Sequence, residues 1–144
     1  MSDRLLAAFP GLRTTSFQIT SPPDFTYNCI AWAANDCTEW WWPLDDSRQC
    51  FWPVGVERQV TFEAFVLAFQ TRGYSVCEDQ SLEAGFVKVA LFADADRVPT
   101  HAARQLPSGR WTSKLGHSED IGHDLRALEG AIYGSVVLFL KRPA

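Results

Sequence analysis

The hydrophobic positions predict one clear amphipathic helix near the middle of the chain. Its apolar residues follow the spacing i, i+3, i+4 and i+7, which places them on one helical face: Phe62, Phe65, Val66 and Phe69. Thr61 precedes the pattern as an N-cap, and Gly73 follows it as a stop signal. We therefore expect a helix between these two residues, with one buried face.

Apolar runs after this helix predict a series of strands. Tyr74–Cys77 is short and Phe86–Phe92 is stronger. Ser135–Leu140 contains a continuous apolar run, which predicts a central strand covered on both faces or, equally, a central strand of an antiparallel sheet. A hairpin is predicted from Thr100–Gln105 and Arg110–Lys114, with Pro107 and Ser108 at its tip. Asp124 is expected to cap a short helix that runs through Leu125, Leu128 and Glu129.

The first third of the chain is less regular. We interpret residues 1–23 as an irregular lead-in, because Pro22 and Pro23 cannot continue a helix. A short helix then follows over Tyr27–Ala34, capped by Asp24 or Thr26. Residues 35–59 have neither a helical nor a strand period, and they contain the runs Trp40–Pro43 and Phe51–Pro53. We interpret them as a long aromatic loop, a length typical of functional loops or lids.

These elements predict one α+β domain over residues 1–144, with N-terminal helices packed on one face of a mostly antiparallel sheet. The chain is 47% hydrophobic and 21% charged, which is ordinary for a globular domain. Its net charge of −4 argues against a nucleic-acid partner and against docking on anionic membranes. The oligomeric state is not predicted.

The sequence also leads to expectations about the cellular compartment and about bound metals. No run approaches the roughly 20 apolar residues that span a bilayer, and the N-terminus lacks a signal-peptide pattern. We expect a cytoplasmic protein with reduced cysteines, although export as an effector without a leader stays open. The four cysteines have no zinc-site spacing, so we expect neither a metal nor a cofactor.

Cys29 is the candidate nucleophile. It falls in the first turn of the predicted helix, where unpaired backbone N–H groups and the helix dipole stabilise a thiolate and lower the thiol pKa. Cys37, Cys50 and Cys77 lack this position. The alternative is that Cys29 is a small buried hydrophobic residue, as free cysteines often are.

His101 is the preferred base, because it begins a strand and is followed by two small alanines that leave room for an approaching group. A strand imidazole opposite a helix-borne thiol can take the thiol proton, and the resulting ion pair attacks a carbonyl. His123, next to a predicted helix start, and His117, in a loop, are alternatives.

A third residue is expected to orient the imidazole. Ser113 is the first choice, with Thr112 and Asp120 as alternatives, and the choice depends on the hairpin register. The tryptophans supply either core or the wall of a groove beside Cys29. In the second interpretation Tyr27, Trp32 and Trp42 bind the substrate.

Several segments together resemble a known family. They are Tyr27–Ala33, Trp42–Pro43, His101–Gln105, Trp111–Gly116, Asp120–His123 and Tyr133–Gly134. They resemble a family of small uncharacterised bacterial proteins that is similar to the papain-like NlpC and CHAP cysteine peptidases and amidases. The resemblance covers most of residues 24–141. It implies a papain-like fold, Cys29 as nucleophile and His101 as base, with the third polar residue at Thr112 or Ser113.

We therefore expect a thiol hydrolase or amidase that cleaves a peptide, isopeptide or amide bond in a peptide or protein substrate. One alternative is a glutamine deamidase or acyl-transfer effector with the same residues. Another, from a different class, is a non-catalytic binding module that uses the tryptophan-rich loop.

Overall fold

The computed structural model describes residues 2–44 and 50–144, and of Ser2 only the backbone. Residues 45–49 of the expected aromatic loop lie outside the described part. The helices are α1 (Ser2–Ala8), α2 (Cys29–Ala33) and α3 (Phe62–Gln70), with 3₁₀ turns at Pro10–Arg13 and Leu125–Leu128. The strands are β1 (Gln18–Ser21), β2 (Ser75–Cys77), β3 (Phe86–Ala93), β4 (Pro99–Gln105), β5 (Trp111–Lys114), β6 (Asp120–His123) and β7 (Ser135–Pro143).

These strands form one seven-stranded sheet in the order β1-β6-β5-β4-β3-β7-β2. Every pairing between them is antiparallel. The α+β class and the antiparallel sheet are therefore confirmed.

The sheet is covered on both faces, not on one as expected. A first cluster packs α2 and α3 against alternate strand residues such as Leu91 and Ala102. A second cluster packs α1 and the two 3₁₀ turns against their neighbours on the opposite face, such as Phe92 and Ala103. Because strand side chains alternate between faces, β3 and β4 contribute to both clusters.

Strand β3 is more deeply buried than β7. Six consecutive residues at the C-terminal end of β3 are buried. In β7 only Leu140 is buried, since this strand lies next to the edge strand β2. Leu138 and Leu140 nevertheless pack in the first cluster, and Val136 and Phe139 pack against the second, so the expected cover on both faces is present but incomplete.

The N-terminal segment is more regular than expected. Residues 1–23 were predicted as an irregular lead-in, yet they contain α1, a 3₁₀ turn and the edge strand β1. Leu5, Phe9 and Leu12 are buried in the second cluster, so this segment contributes to the core.

The local helix signals were predicted more accurately. The Thr61 hydroxyl accepts a hydrogen bond from the Ala64 N–H, and Gly73 adopts a φ of 88° after the helix ends. Helix α2 begins at Cys29 instead of Tyr27, and its N-cap is Asn28 instead of Asp24 or Thr26.

The hairpin between β4 and β5 is closed by a three-residue tip. Arg104 lies opposite Thr112, and the Leu106 N–H donates to the Arg110 carbonyl. The expected two-residue tip was wrong, because Gly109 takes a φ of 90° and adds one residue to the turn. Because Arg104 pairs with Thr112, Ser113 faces the same side of the sheet as His101, from the neighbouring strand.

None of the described helices is long and apolar enough to cross a membrane.

Candidate functional site

Asn28 fixes the start of helix α2. Its side-chain oxygen accepts hydrogen bonds from the N–H groups of Ala31 and Trp41, both at 3.1 Å, and its amide donates to the Trp41 carbonyl at 2.7 Å. One side chain thus caps the helix and holds the tryptophan-rich loop against it. Cys29, the next residue, is consequently held at the first helical position.

The Cys29 sulfur is buried and surrounded by backbone donors. The N–H groups of Ala102, Ile30 and Cys29 itself favour its thiolate form, as does the Lys114 charge. Burial is the larger effect, and it raises the Cys29 pKa from 9.0 to about 11. The expectation of a lowered thiol pKa was wrong, because desolvation outweighs the helix N-terminus.

A pocket of about 290 Å³ opens onto Cys29. Its described lining residues carry no charged side chain, and aromatic rings dominate them. They are Asn28, Cys29, Trp40, Trp42, Thr100, Gly116 and Tyr133.

The His101 ring is fully buried on β4. Its Nε2 lies 2.9 Å from the Ser113 hydroxyl, and the ring stacks on Tyr133 with centroids 3.9 Å apart. Its Nδ1 is also buried and has no hydrogen-bond partner among the described residues. Nε2 of His101 thus has a hydrogen-bond partner, and Nδ1 has none among the described residues.

A second histidine continues this contact. The Ser113 hydroxyl lies 2.7 Å from Nε2 of His123, and Nδ1 of His123 lies 2.8 Å from the Asp124 carbonyl oxygen. His101, Ser113 and His123 therefore form a buried chain across β4, β5 and β6.

Burial keeps both histidines neutral. It lowers the His101 pKa well below 6.5, and the nearby His123 lowers it further. The His123 pKa falls to about 4, mainly through desolvation. At neutral pH, therefore, neither the His101 imidazole nor the Cys29 thiol is charged.

Cys29 and His101 approach the start of β4 from different sides. The sulfur contacts the N–H of Ala102, the residue after His101, while the His101 ring packs against Phe92 of the second cluster. Tyr133 reaches both, since it lines the Cys29 pocket and stacks on His101. The β4–β5 pairing includes only residues 104–105 of β4, so the strands are unpaired beside the sulfur.

Of the three candidates for the third residue, Ser113 is the one that contacts His101. Thr112 accepts a hydrogen bond from the Trp32 indole at 3.0 Å. Asp120, on β6 and not in a loop, accepts one from the Tyr27 hydroxyl at 2.7 Å. His123 is likewise on β6 instead of at a helix start.

The expected aromatic residues divide into two groups. Trp42 lines the Cys29 pocket, whereas Tyr27 and Trp32 pack against each other with ring centroids 5.4 Å apart, away from its described lining. Trp40 and Tyr133 line the pocket and were not singled out from the sequence. The signal for Trp40 was its position within the tryptophan run, and the signal for Tyr133 was its place in one of the segments that resemble the family.

Residues 18–141 match a family described as a domain of unknown function, DUF7689, and the chain belongs to that family. No curated protein matches the chain. No solved structure matches it either.

Proposed function

We propose that this DUF7689 member is a papain-like thiol hydrolase in which Cys29 is the nucleophile and His101 the base. The observation that carries the proposal is the uncommitted Nδ1 of His101. It belongs to a ring anchored through Nε2, one residue from the N–H that contacts the Cys29 sulfur. A nucleophile, a base and a group that orients the base are the elements of covalent acyl transfer.

The reaction would proceed in two steps. No hydrogen bond joins the Cys29 sulfur to Nδ1 of His101 in the resting structure, so the two groups first move within hydrogen-bond reach when the substrate binds. The Cys29 proton then moves to Nδ1 while the sulfur attacks the carbonyl carbon, and the same proton passes to the leaving amine as the C–N bond breaks. Water next attacks the thioester and gives one proton to Nδ1. That proton returns to the sulfur as the acid product leaves.

The neutral resting state defines the role of the backbone donors. Because the thiol proton leaves only during attack, the sulfur carries negative charge in the transition state and again when the thioester breaks down. The N–H groups of Ala102, Ile30 and Cys29 favour that charge. Fixed donors directed at developing charge are a strong source of catalysis in a buried site.

The pocket supports an uncharged acyl group as the substrate portion beside Cys29. Its aromatic walls suit an apolar or planar group, and its described lining offers no partner to a charged one. The proposed substrate is therefore a peptide, protein or smaller amide with an uncharged residue at the cleaved carbonyl.

The proposal is tested with p-nitrophenyl butyrate as an acyl donor, followed by intact-mass and peptide mass spectrometry. We expect a butyryl adduct on Cys29, release of nitrophenolate, and loss of both in Cys29→Ser. Cys37→Ser, which changes an exposed thiol, is the matched control and should retain both signals.

Labelling confined to Cys37, or equal rates in the wild-type protein and Cys29→Ser, would overturn the proposal and favour the binding module. Blocked peptide amides then identify the reaction. Ammonia released from a glutamine side chain, without backbone cleavage, would indicate deamidation.

A further inference from the structure

We infer that His123, acting through Ser113, is a positioning residue that holds His101 in the tautomer with its proton on Nε2 and its lone pair on Nδ1. The inference rests on the proposed function for its catalytic meaning. Its structural part, the direction of the hydrogen bonds, rests on the contacts and on the burial that keeps His123 neutral.

The direction of these hydrogen bonds is set where His123 contacts the Asp124 carbonyl. A carbonyl oxygen can only accept, so Nδ1 of His123, 2.8 Å away, must be the donor. Burial keeps His123 neutral, and a neutral imidazole carries one proton. Nε2 of His123 is therefore an acceptor.

Ser113 transmits this direction to His101. Its hydroxyl has a single proton, which is donated to Nε2 of His123 across 2.7 Å. The Ser113 oxygen must then accept from Nε2 of His101 at 2.9 Å. The ring proton of His101 is thus on Nε2, and Nδ1 retains its lone pair.

The result matches what the proposed base needs. Nδ1 has no protein partner among the described residues, so a proton on it would be a buried donor without an acceptor. The opposite tautomer would also be unable to take the thiol proton. His123 therefore contributes the direction of the hydrogen bonds, since it decides which atom of Ser113 and of His101 donates and which accepts.

The tautomers are measured directly by long-range ¹H–¹⁵N NMR of the full chain labelled with ¹⁵N-histidine, at pH 7. In the wild-type protein we expect His101 protonated on Nε2 and His123 protonated on Nδ1. The opposite state of His101 would overturn the inference, without any measurement of activity.

Two variants of His123 test its role. His123→Phe removes the acceptor, so the Ser113 hydroxyl is free to donate to Nε2 of His101, and we expect His101 to shift toward protonated Nδ1. His123→Gln keeps an acceptor oxygen near the Nε2 position and should preserve the wild-type tautomer. Cys37→Ser, which changes an exposed thiol, is the control.

The acylation rate of Cys29 should follow the tautomer. We expect a fall of at least about tenfold in His123→Phe, because a base in the wrong tautomer cannot accept the proton, and recovery in His123→Gln. An unchanged tautomer in His123→Phe would overturn the inference. If that variant does not fold, Ser113→Ala replaces it. This variant removes the acceptor of the Nε2 proton, so we expect His101 to lose its preference for protonated Nε2, and an unchanged tautomer would again overturn the inference.

The two failures are distinguishable. If His101 has the expected tautomer but Cys29 of the wild-type protein is not acylated, the proposed function is refuted, and the positioning role with it. The directions of the hydrogen bonds then still stand. Acylation with His101 protonated on Nδ1 refutes the positioning inference alone.

Discussion

The buried histidines should make the protein lose stability in mild acid. In the unfolded chain a histidine binds a proton near pH 6.5, whereas burial lowers the His123 pKa to about 4 in the folded protein. Between these values the unfolded state binds more protons, so the free energy of unfolding falls as the pH falls. This part of the stability is fully present above pH 6.5 and is lost by about pH 4.

The expected magnitude follows from the change in pKa. A fall from 6.5 to about 4 corresponds to about 3 kcal/mol, since each pH unit corresponds to about 1.4 kcal/mol. His101 shifts in the same direction and adds to the loss. Such a loss is a large share of the roughly 5–15 kcal/mol that stabilises a domain of this size.

Urea unfolding at pH 7, 5.5 and 4.5 measures the effect. His123→Gln cannot bind the proton, so its stability should depend less steeply on pH than that of the wild-type protein, whatever its value at pH 7. Equal slopes in His123→Gln and the wild-type protein would refute the assignment of a neutral buried His123.

Three further substitutions test the surroundings of the site by urea unfolding. Asn28→Ala should cost about 3 kcal/mol, because it removes the cap of α2 and both contacts with Trp41; a loss below about 1 kcal/mol would contradict this role. Gly134→Ala should destabilise by at least about 3 kcal/mol, since its Cβ would lie 2.0 Å from the Ala93 carbonyl oxygen at a φ of 76°; near-wild-type stability would show that the close approach is absent. The wild-type protein should lose up to about 3 kcal/mol as the pH rises from 9 to 11, because the Cys29 pKa is raised to about 11, and Cys29→Ser should lack this component of the slope.

Local sequence signals predicted the elements that depend on short-range chemistry. Helix α3 begins after Thr61 and ends before Gly73 as expected, because a hydroxyl cap and a glycine with positive φ act within a few residues. The start of α2 was predicted within two residues, and its cap is the neighbouring asparagine. Strand β3 extends only one residue beyond its predicted end.

Elements defined by long-range packing were not predictable in the same way. Strand β6 is four residues long and includes Gly122, so it has little strand propensity and exists because β5 and β1 pair with it. His123 was consequently read as the start of a helix. The neighbours of β7 are likewise set by topology, which its own apolar residues do not encode.

The contact between Ser113 and His101 depended on one residue of register. The sequence left three candidates for the third residue, and the additional residue in the tip, Gly109, decided among them. The step from Ser113 to His123 requires β5 and β6 to pair, which brings together side chains of two different strands. A chain of three side chains from three strands is therefore visible only in the folded protein.

The burial that argues against a preformed ion pair makes the orientation of His101 more important. Burial raises the Cys29 pKa and lowers the His101 pKa, so the resting proton stays on sulfur. An ion pair formed before the substrate binds would need no further choice of tautomer, because the proton would already be on the ring. A neutral pair must transfer its proton during attack, and it can do so only if Nδ1 holds a lone pair at that moment. The hydrogen-bond chain that begins at the Asp124 carbonyl provides this condition, and it can do so only because His123 is itself buried and neutral.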